Sequence, residues 1–167
     1  MTTMKLNPLA IQVIDAGPKR RHWSRVAQFS RSPELLLGLD RVGVERPMID
    51  DLVAFACSDF GVPEPKLKLH AGRSAYTGAC ERPRTVWVAL LGEDEVAVRE
   101  AAGWGALPTN GAIRLGRTTT LMTLAHELGH HAVFHLDDPT TPAHGRRWVL
   151  RFDQAAAMVA EAAGMDG

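Results

Sequence analysis

Cysteine is scarce in this chain, with only Cys57 and Cys80 in 167 residues. Two thiols cannot build the disulfide framework that holds small secreted domains together, and the expectation is a pair of reduced, buried thiols in a cytoplasmic protein. No stretch approaches the roughly 18 uninterrupted apolar residues that a membrane span needs. The start, MTTMKLNPLAIQVIDAGPKRR, sets its basic cluster after a mixed stretch and so lacks the order of a secretory signal. The expected protein is soluble and has no membrane partner. Net charge is also missing, since 19 Lys and Arg meet 19 Asp and Glu. Aromatics are few, at 6%, with one tyrosine, and there is no repeat or low-complexity tract. The 46% apolar content still suffices for one hydrophobic core at this length.

The charge balance conceals an asymmetry. Residues 1–49 carry eight Lys and Arg against four Asp and Glu, and residues 50–167 carry eleven against fifteen, so the two parts stand at +4 and −4. Lys19, Arg20, Arg21 and Arg25, with His22 and Trp23 among them, could touch nucleic acid through phosphate pairing and base stacking. A solvated basic segment is the simpler reading of the same run.

Residues 1–46 read as an accessory segment, with a strand near Leu9 to Ile14, a turn at Gly17-Pro18 and the run Leu35 to Leu39. Residues 47–167 read as the main domain. Apolar residues at helical spacing between Met48 and Phe60, after Pro47 and before Gly61, predict a helix over 48–60. Lys66 to Ala71 alternates as a strand does, Ser74 to Cys80 could follow as another, and Arg84 to Leu90 is rich in β-branched and aromatic residues. Short connections suggest that these three form an antiparallel meander. Glu93 to Ala102 suits a helix, and Ala112 to Leu115 a further strand. Helices are predicted over Thr118 to His135 and Pro142 to Ala163, the second burying Trp148, Val149 and Phe152. Strands followed by helices indicate an α+β fold.

Five of the seven histidines fall between positions 126 and 144. His126-Glu127-Leu128-Gly129-His130 is an H-E-x-x-H on the first of the two late helices. At 100° per residue its two histidines are about 40° apart around the axis and one turn apart along it, so both can reach one metal ion. Glu127, about 60° from His130, can reach a water at the metal without binding the metal itself. Neutral imidazoles suit Zn²⁺, and three protein ligands leave a fourth position for water.

The third ligand is open between His144 and Glu161, with Asp137 and Asp138 as weaker acidic alternatives. His131 and His135 are about 140° and 180° around from His126 and point away. Val133 and Leu136 stand where a metzincin requires Gly and His, which excludes that class. His144 follows a loop that can fold back and opens the last helix, and Gly145 would let the two backbones approach closely.

The stretch Leu124 to Trp148, LAHELGHHAVFHLDDPTTPAHGRRW, resembles the SprT family of zinc metalloproteases, which includes Spartan. Short actinobacterial metallohydrolases are similar in the same places. The resemblance implies a small zincin-like fold: an antiparallel sheet with a support helix, the metal helix and a C-terminal helix bearing the third ligand. It further implies His126, His130 and His144 as zinc ligands, Glu127 as general base, and a polypeptide substrate aligned on an edge strand. No Cys-rich zinc ribbon follows, in contrast to the larger members. The same H-E-x-x-H segment is also similar to the IrrE/ImmA regulator-cleaving peptidases, whose third ligand is acidic.

The expected reaction is peptide hydrolysis by a metal-bound water with Glu127 as base. Tyr76, Arg147 and His131 are candidate oxyanion donors, and Val86 to Leu90 or Ala112 to Leu115 candidate edge strands. A non-enzymatic, zinc-stabilised binding module is the rival from another class. A purely structural site has no use for the carboxylate of Glu127, which favours an enzyme.

Overall fold

The computed structural model describes residues 23–70, 78–116 and 119–165. These form a mixed α and β fold of seven helices and two small sheets. The predicted strand at 9–14 and the basic residues Lys19, Arg20 and Arg21 lie outside the described residues, as does Tyr76.

Two short helices come first, α1 (Trp23–Phe29) and α2 (Pro33–Leu39). Pro33 starts α2 because its missing N–H and fixed φ cost nothing in a first turn. These helices supply Val26, Leu36 and Leu39 to the core that the later helices share. Asp153, from the last helix, accepts hydrogen bonds from Ser30 Oγ at 2.7 Å and Arg31 N at 2.9 Å, which ties this first segment down. Strand β1 (Gly43–Val44) leads into α3 (Met48–Phe60). That helix has the predicted bounds and ends at Gly61 in the left-handed region, φ 73°, where glycine has no Cβ to clash.

Strands β2 (Lys66–His70), β3 (Gly78–Glu81) and β4 (Ala112–Gly116) make a three-stranded sheet in the order β2-β4-β3. The expected antiparallel meander is not what forms. β2 runs parallel to β4, with Lys66 opposite Ala112, and β3 runs antiparallel to β4, with Gly78 opposite Leu115. The parallel pair needs a long crossover, and residues 71–111 supply it. Ile113 and Leu115 are fully buried on one face of the central strand. On the other face, Lys68 and Arg114 sit opposite one another and share the carboxylate of Glu81, at 3.1 and 2.8 Å.

The run Arg84 to Leu90 is the clearest departure from expectation. It folds as helix α4 (Arg84–Leu91), despite its β-branched residues. Pro83, at ψ 150°, turns the chain into it and Gly92, at φ 90°, ends it. Val86 is buried, and Trp87 packs on Trp104 with ring centroids 5.1 Å apart. Strand propensity spans only about 1 kcal/mol and yields to such packing. Helix α5 (Glu93–Arg99) follows and continues through a π-helical turn, Glu100–Trp104.

The chain then reaches β5 (Thr119–Thr120), paired antiparallel with β1, and α6 (Leu121–Leu136). Thr120 caps α6, its hydroxyl accepting from Thr123 N at 3.1 Å and donating to Asp40 at 3.1 Å. Helix α7 (Arg146–Ala162) packs along α6 and completes the core with Trp148, Val149, Phe152, Ala156 and Val159. It begins four residues later than predicted, because the Pro142 to Gly145 stretch is a turn. None of the described helices is long and apolar enough to cross a membrane.

Candidate metal centre

Helix geometry does what the spacing requires: His126 and His130 project from one face of α6. His144 reaches them from the turn before α7, so it does not open that helix as expected. Its backbone is left-handed, φ 59°, a conformation uncommon for a residue with a side chain. The three rings turn their Nε2 atoms towards one another. His130 Nε2 lies 2.9 Å from His144 Nε2, which lies 3.3 Å from His126 Nε2. Among the described residues this is the one group of three or more His, Cys, Asp or Glu side chains placed to hold a metal ion.

The donor set fits a cation. A neutral imidazole offers at Nε2 either a proton or a lone pair, so three such atoms cannot all be matched to one another. A single ion accepts lone pairs from all three. With metal–nitrogen bonds of about 2.0 to 2.1 Å in a tetrahedron, ligand nitrogens fall about 3.3 to 3.4 Å apart, which matches the His126–His144 separation, while the His130–His144 pair is closer.

Trp148 forms the floor of the cluster. It is 1% exposed, its ring centroid is 4.7 Å from that of His126, 5.2 Å from His130 and 4.6 Å from His144, and its Nε1 donates to the His126 carbonyl at 3.4 Å. This supports the ligand-bearing segments by packing, as expected of the residue. The glycine that lets the helices close up is Gly129, inside the motif, rather than Gly145. A Cβ at Gly129 would stand 3.1 Å from both Phe152 Cα and Phe152 N and 3.3 Å from Trp148 Nε1, whereas one at Gly145 would meet only ordinary contacts.

Glu127 is 4% exposed, and its Oε1 is 3.7 Å from His126 Nε2. Burial pushes its carboxyl up to about 8, which favours the protonated form. A cation at the three histidines would pull it back down. β3 passes directly over this carboxyl: a Cβ at Gly78 would come within 3.2 Å of Glu127 Cγ and 3.3 Å of its Oε1. A side chain there would fill the space beside the acid, so the glycine keeps it open.

The remaining candidates go elsewhere. His131 is fully buried on the opposite side of α6, with Nε2 2.7 Å from the Pro63 carbonyl, and burial lowers its pKa to about 4. His135 bonds the Asn110 carbonyl at 3.0 Å. Asp137 accepts from Arg147 Nε at 2.8 Å and from Arg151 Nε at 2.9 Å, and these bonds hold its carboxyl below the usual range. That clamp joins the end of α6 to the start of α7 and so brackets the turn carrying His144, a role that spacing alone did not reveal. Asp138 accepts from the Thr140 backbone and hydroxyl. Glu161 is exposed, some four turns along α7 from the histidines, and is not part of the cluster. Of the expected oxyanion donors, Arg147 is thus paired with Asp137 and His131 with the Pro63 carbonyl. Arg25 is exposed on α1.

Both expected edge strands are corrected as well. Val86 to Leu90 is helical, and Ala112 to Leu115 is central, hydrogen-bonded on both sides. The strand that lies at the sheet edge beside Glu127 is β3. The signal for it is Gly78, a small residue two positions before Cys80 in a strand-like run. No known protein family, curated protein or solved structure matches the chain.

Proposed function

We propose that the chain is a zinc-dependent metallopeptidase of zincin-like, SprT-like type. One observation carries the reading: three Nε2 atoms converge on one point with a buried, non-ligating carboxyl beside them, on the helix that holds two of the three. Zinc, when bound there, supplies a Lewis acid that polarises a carbonyl and makes a water acidic. The chain's own part is to hold and move a proton. Glu127 takes it from the attacking water at Oε1 and returns it to the leaving amine. Its burial suits this exchange, because a carboxylate whose pKa is raised towards neutrality is a stronger base for the water's proton and, once protonated, is still acidic enough to pass it to an amine. An extended peptide would add along the outer side of β3, which pairs with no further strand among the described residues, where backbone groups bind it without regard to sequence and Gly78 leaves room over Glu127.

His144, rather than Glu161, is the third ligand in this reading, since it stands at the cluster and Glu161 does not. That supports the SprT-like resemblance over the IrrE/ImmA-like one. A binding module with a structural ion would leave the buried carboxyl of Glu127 without a purpose.

The test pairs metal content with activity. The chain is expected to carry about one zinc. Glu127→Gln should keep that zinc and lose at least about a hundredfold in cleavage of an unfolded protein. His144→Ala should lose zinc and Glu161→Ala keep it. Undiminished cleavage by Glu127→Gln would sink the mechanism.

A further inference from the structure

A cavity of about 280 Å³ opens at the end of β3, where Cys80, Glu81, Arg82, Trp87, Trp104 and Leu107 are among the residues that border it. It lies close to the candidate centre. Cys80 is two residues, or about 7 Å along a strand, from Gly78, which packs on Glu127. On the other side Phe134 links the two places: its ring stacks near that of His130, with centroids 6.4 Å apart, and the Arg82 guanidinium carbon lies 5.5 Å from its centroid.

Arg82 is the unusual member. Its guanidinium carbon lies over two rings, Phe134 and, at 5.1 Å, Trp87. A cation over aromatic rings is held by them without using its N–H donors in hydrogen bonds to an oxygen acceptor. Its Nε is buried and has no hydrogen-bond partner among the described residues. Nor does any carboxylate among the described residues pair with it. Those nearby are already engaged: Glu81 with Lys68 and Arg114, Glu93 and Glu100 with Arg84, Glu95 with Arg99. A planar donor beside aromatic rings, at the rim of a cavity with both polar and apolar walls whose one carboxylate, Glu81, is already paired with Lys68 and Arg114, suits a planar anionic acceptor.

We propose that this cavity is a side-chain subsite of the peptide-cleaving site, and that Arg82 in it selects a substrate residue bearing a carboxylate. The inference rests on the peptidase reading for its substrate class. The carboxylate is that of an Asp or Glu side chain or of the peptide's C-terminus. The indole and Leu107 surfaces take the aliphatic stem, and the guanidinium edge takes the two oxygens.

The test uses the full-length, zinc-loaded Glu127→Gln chain and short peptides without aromatic residues. Each peptide carries Glu or Gln at one scanned position and has a free or amidated C-terminus. Binding is read from tryptophan emission, since Trp87 and Trp104 wall the cavity. At one position the amidated Glu peptide should bind about tenfold more tightly than its Gln twin, as a charge-assisted bond predicts. A second Arg82→Gln substitution should erase that difference, and Arg82→Lys should retain part of it. If only the free C-terminus confers the gain, the selected carboxylate is the terminal one. Equal binding of all the peptides, or discrimination that survives Arg82→Gln, overturns the subsite. Cleavage of the same peptides by the chain with Glu127 intact is followed in parallel. Carboxylate-dependent binding without any cleavage would overturn the peptidase reading instead, and cleavage without a Glu preference would overturn the subsite alone.

Discussion

His131 shows how differently neighbouring side chains of one type can be used. It follows His130 directly, yet it is buried on the far face of α6 against the Pro63 carbonyl, and burial keeps it neutral down to about pH 4. Its folded pKa lies below the ordinary value of 6.5. The stability it contributes is therefore present above pH 6.5 and is lost as pH falls towards 4, because only the unfolded chain takes up the proton in that window. The loss should amount to about 3 kcal/mol by pH 4 at full effect. Urea unfolding of the metal-free chain at pH 7 and pH 4.5, beside His131→Gln, checks this. The variant's stability should change less over that interval, and an unchanged pH dependence would show that other groups carry it.

Between elements, the contact that matters most to the centre is α6 against α7. Gly129 allows it. Replacing glycine by alanine in a helix interior normally gains up to about 1 kcal/mol, but here the new methyl would meet Phe152 backbone atoms at 3.1 Å, which cannot rotate away as a flexible side chain could. Overpacking costs about 1–3 kcal/mol and should win. Gly129→Ala is expected to lower stability by about 1 kcal/mol net and to weaken zinc binding, measurable by urea unfolding and metal titration. A stabilised variant with unchanged zinc affinity would show that the helices can part at no cost.

The same contact explains what could be read in advance. Helical period marked α3, α6 and most of α7, and the angles around α6 separated His126 and His130 from His131 and His135. The sheet was less legible, because pairing between β2 and β4 spans residues 71–111 and leaves no local trace. Arg84 to Leu90 misled because its composition favours a strand while Pro83, Gly92 and the Trp87–Trp104 packing set a helix. Gly129 and Asp137 were hidden for a related reason: each acts on a partner in α7, and spacing within one element cannot show that.

At the scale of the whole molecule, the cluster joins α6 to the turn that precedes α7, and α7 in turn carries Asp153, the anchor of the first segment. An ion bound only by the folded chain would therefore stabilise the whole structure rather than one loop. With free zinc at about a hundred times its dissociation constant the gain is about 2.7 kcal/mol, or roughly 5–10 °C in melting temperature for a domain of this size. Thermal unfolding with zinc and with a chelator should show that gap, and His126→Ala should abolish it. An equal shift in the variant would place the stabilising metal elsewhere.

The left-handed backbone of His144 makes the three histidines unequal in time as well as in position. Two are carried by a sixteen-residue helix capped by Thr120. The third is held in a conformation that most side chains avoid by about 1 kcal/mol or more, within a turn anchored at its ends by Asp137. Relaxing that one residue would undo a ligand without disturbing either helix. Exchange of the ion would thus begin at His144, and the rate at which the chain gains or loses its metal would be set by a single turn rather than by the fold.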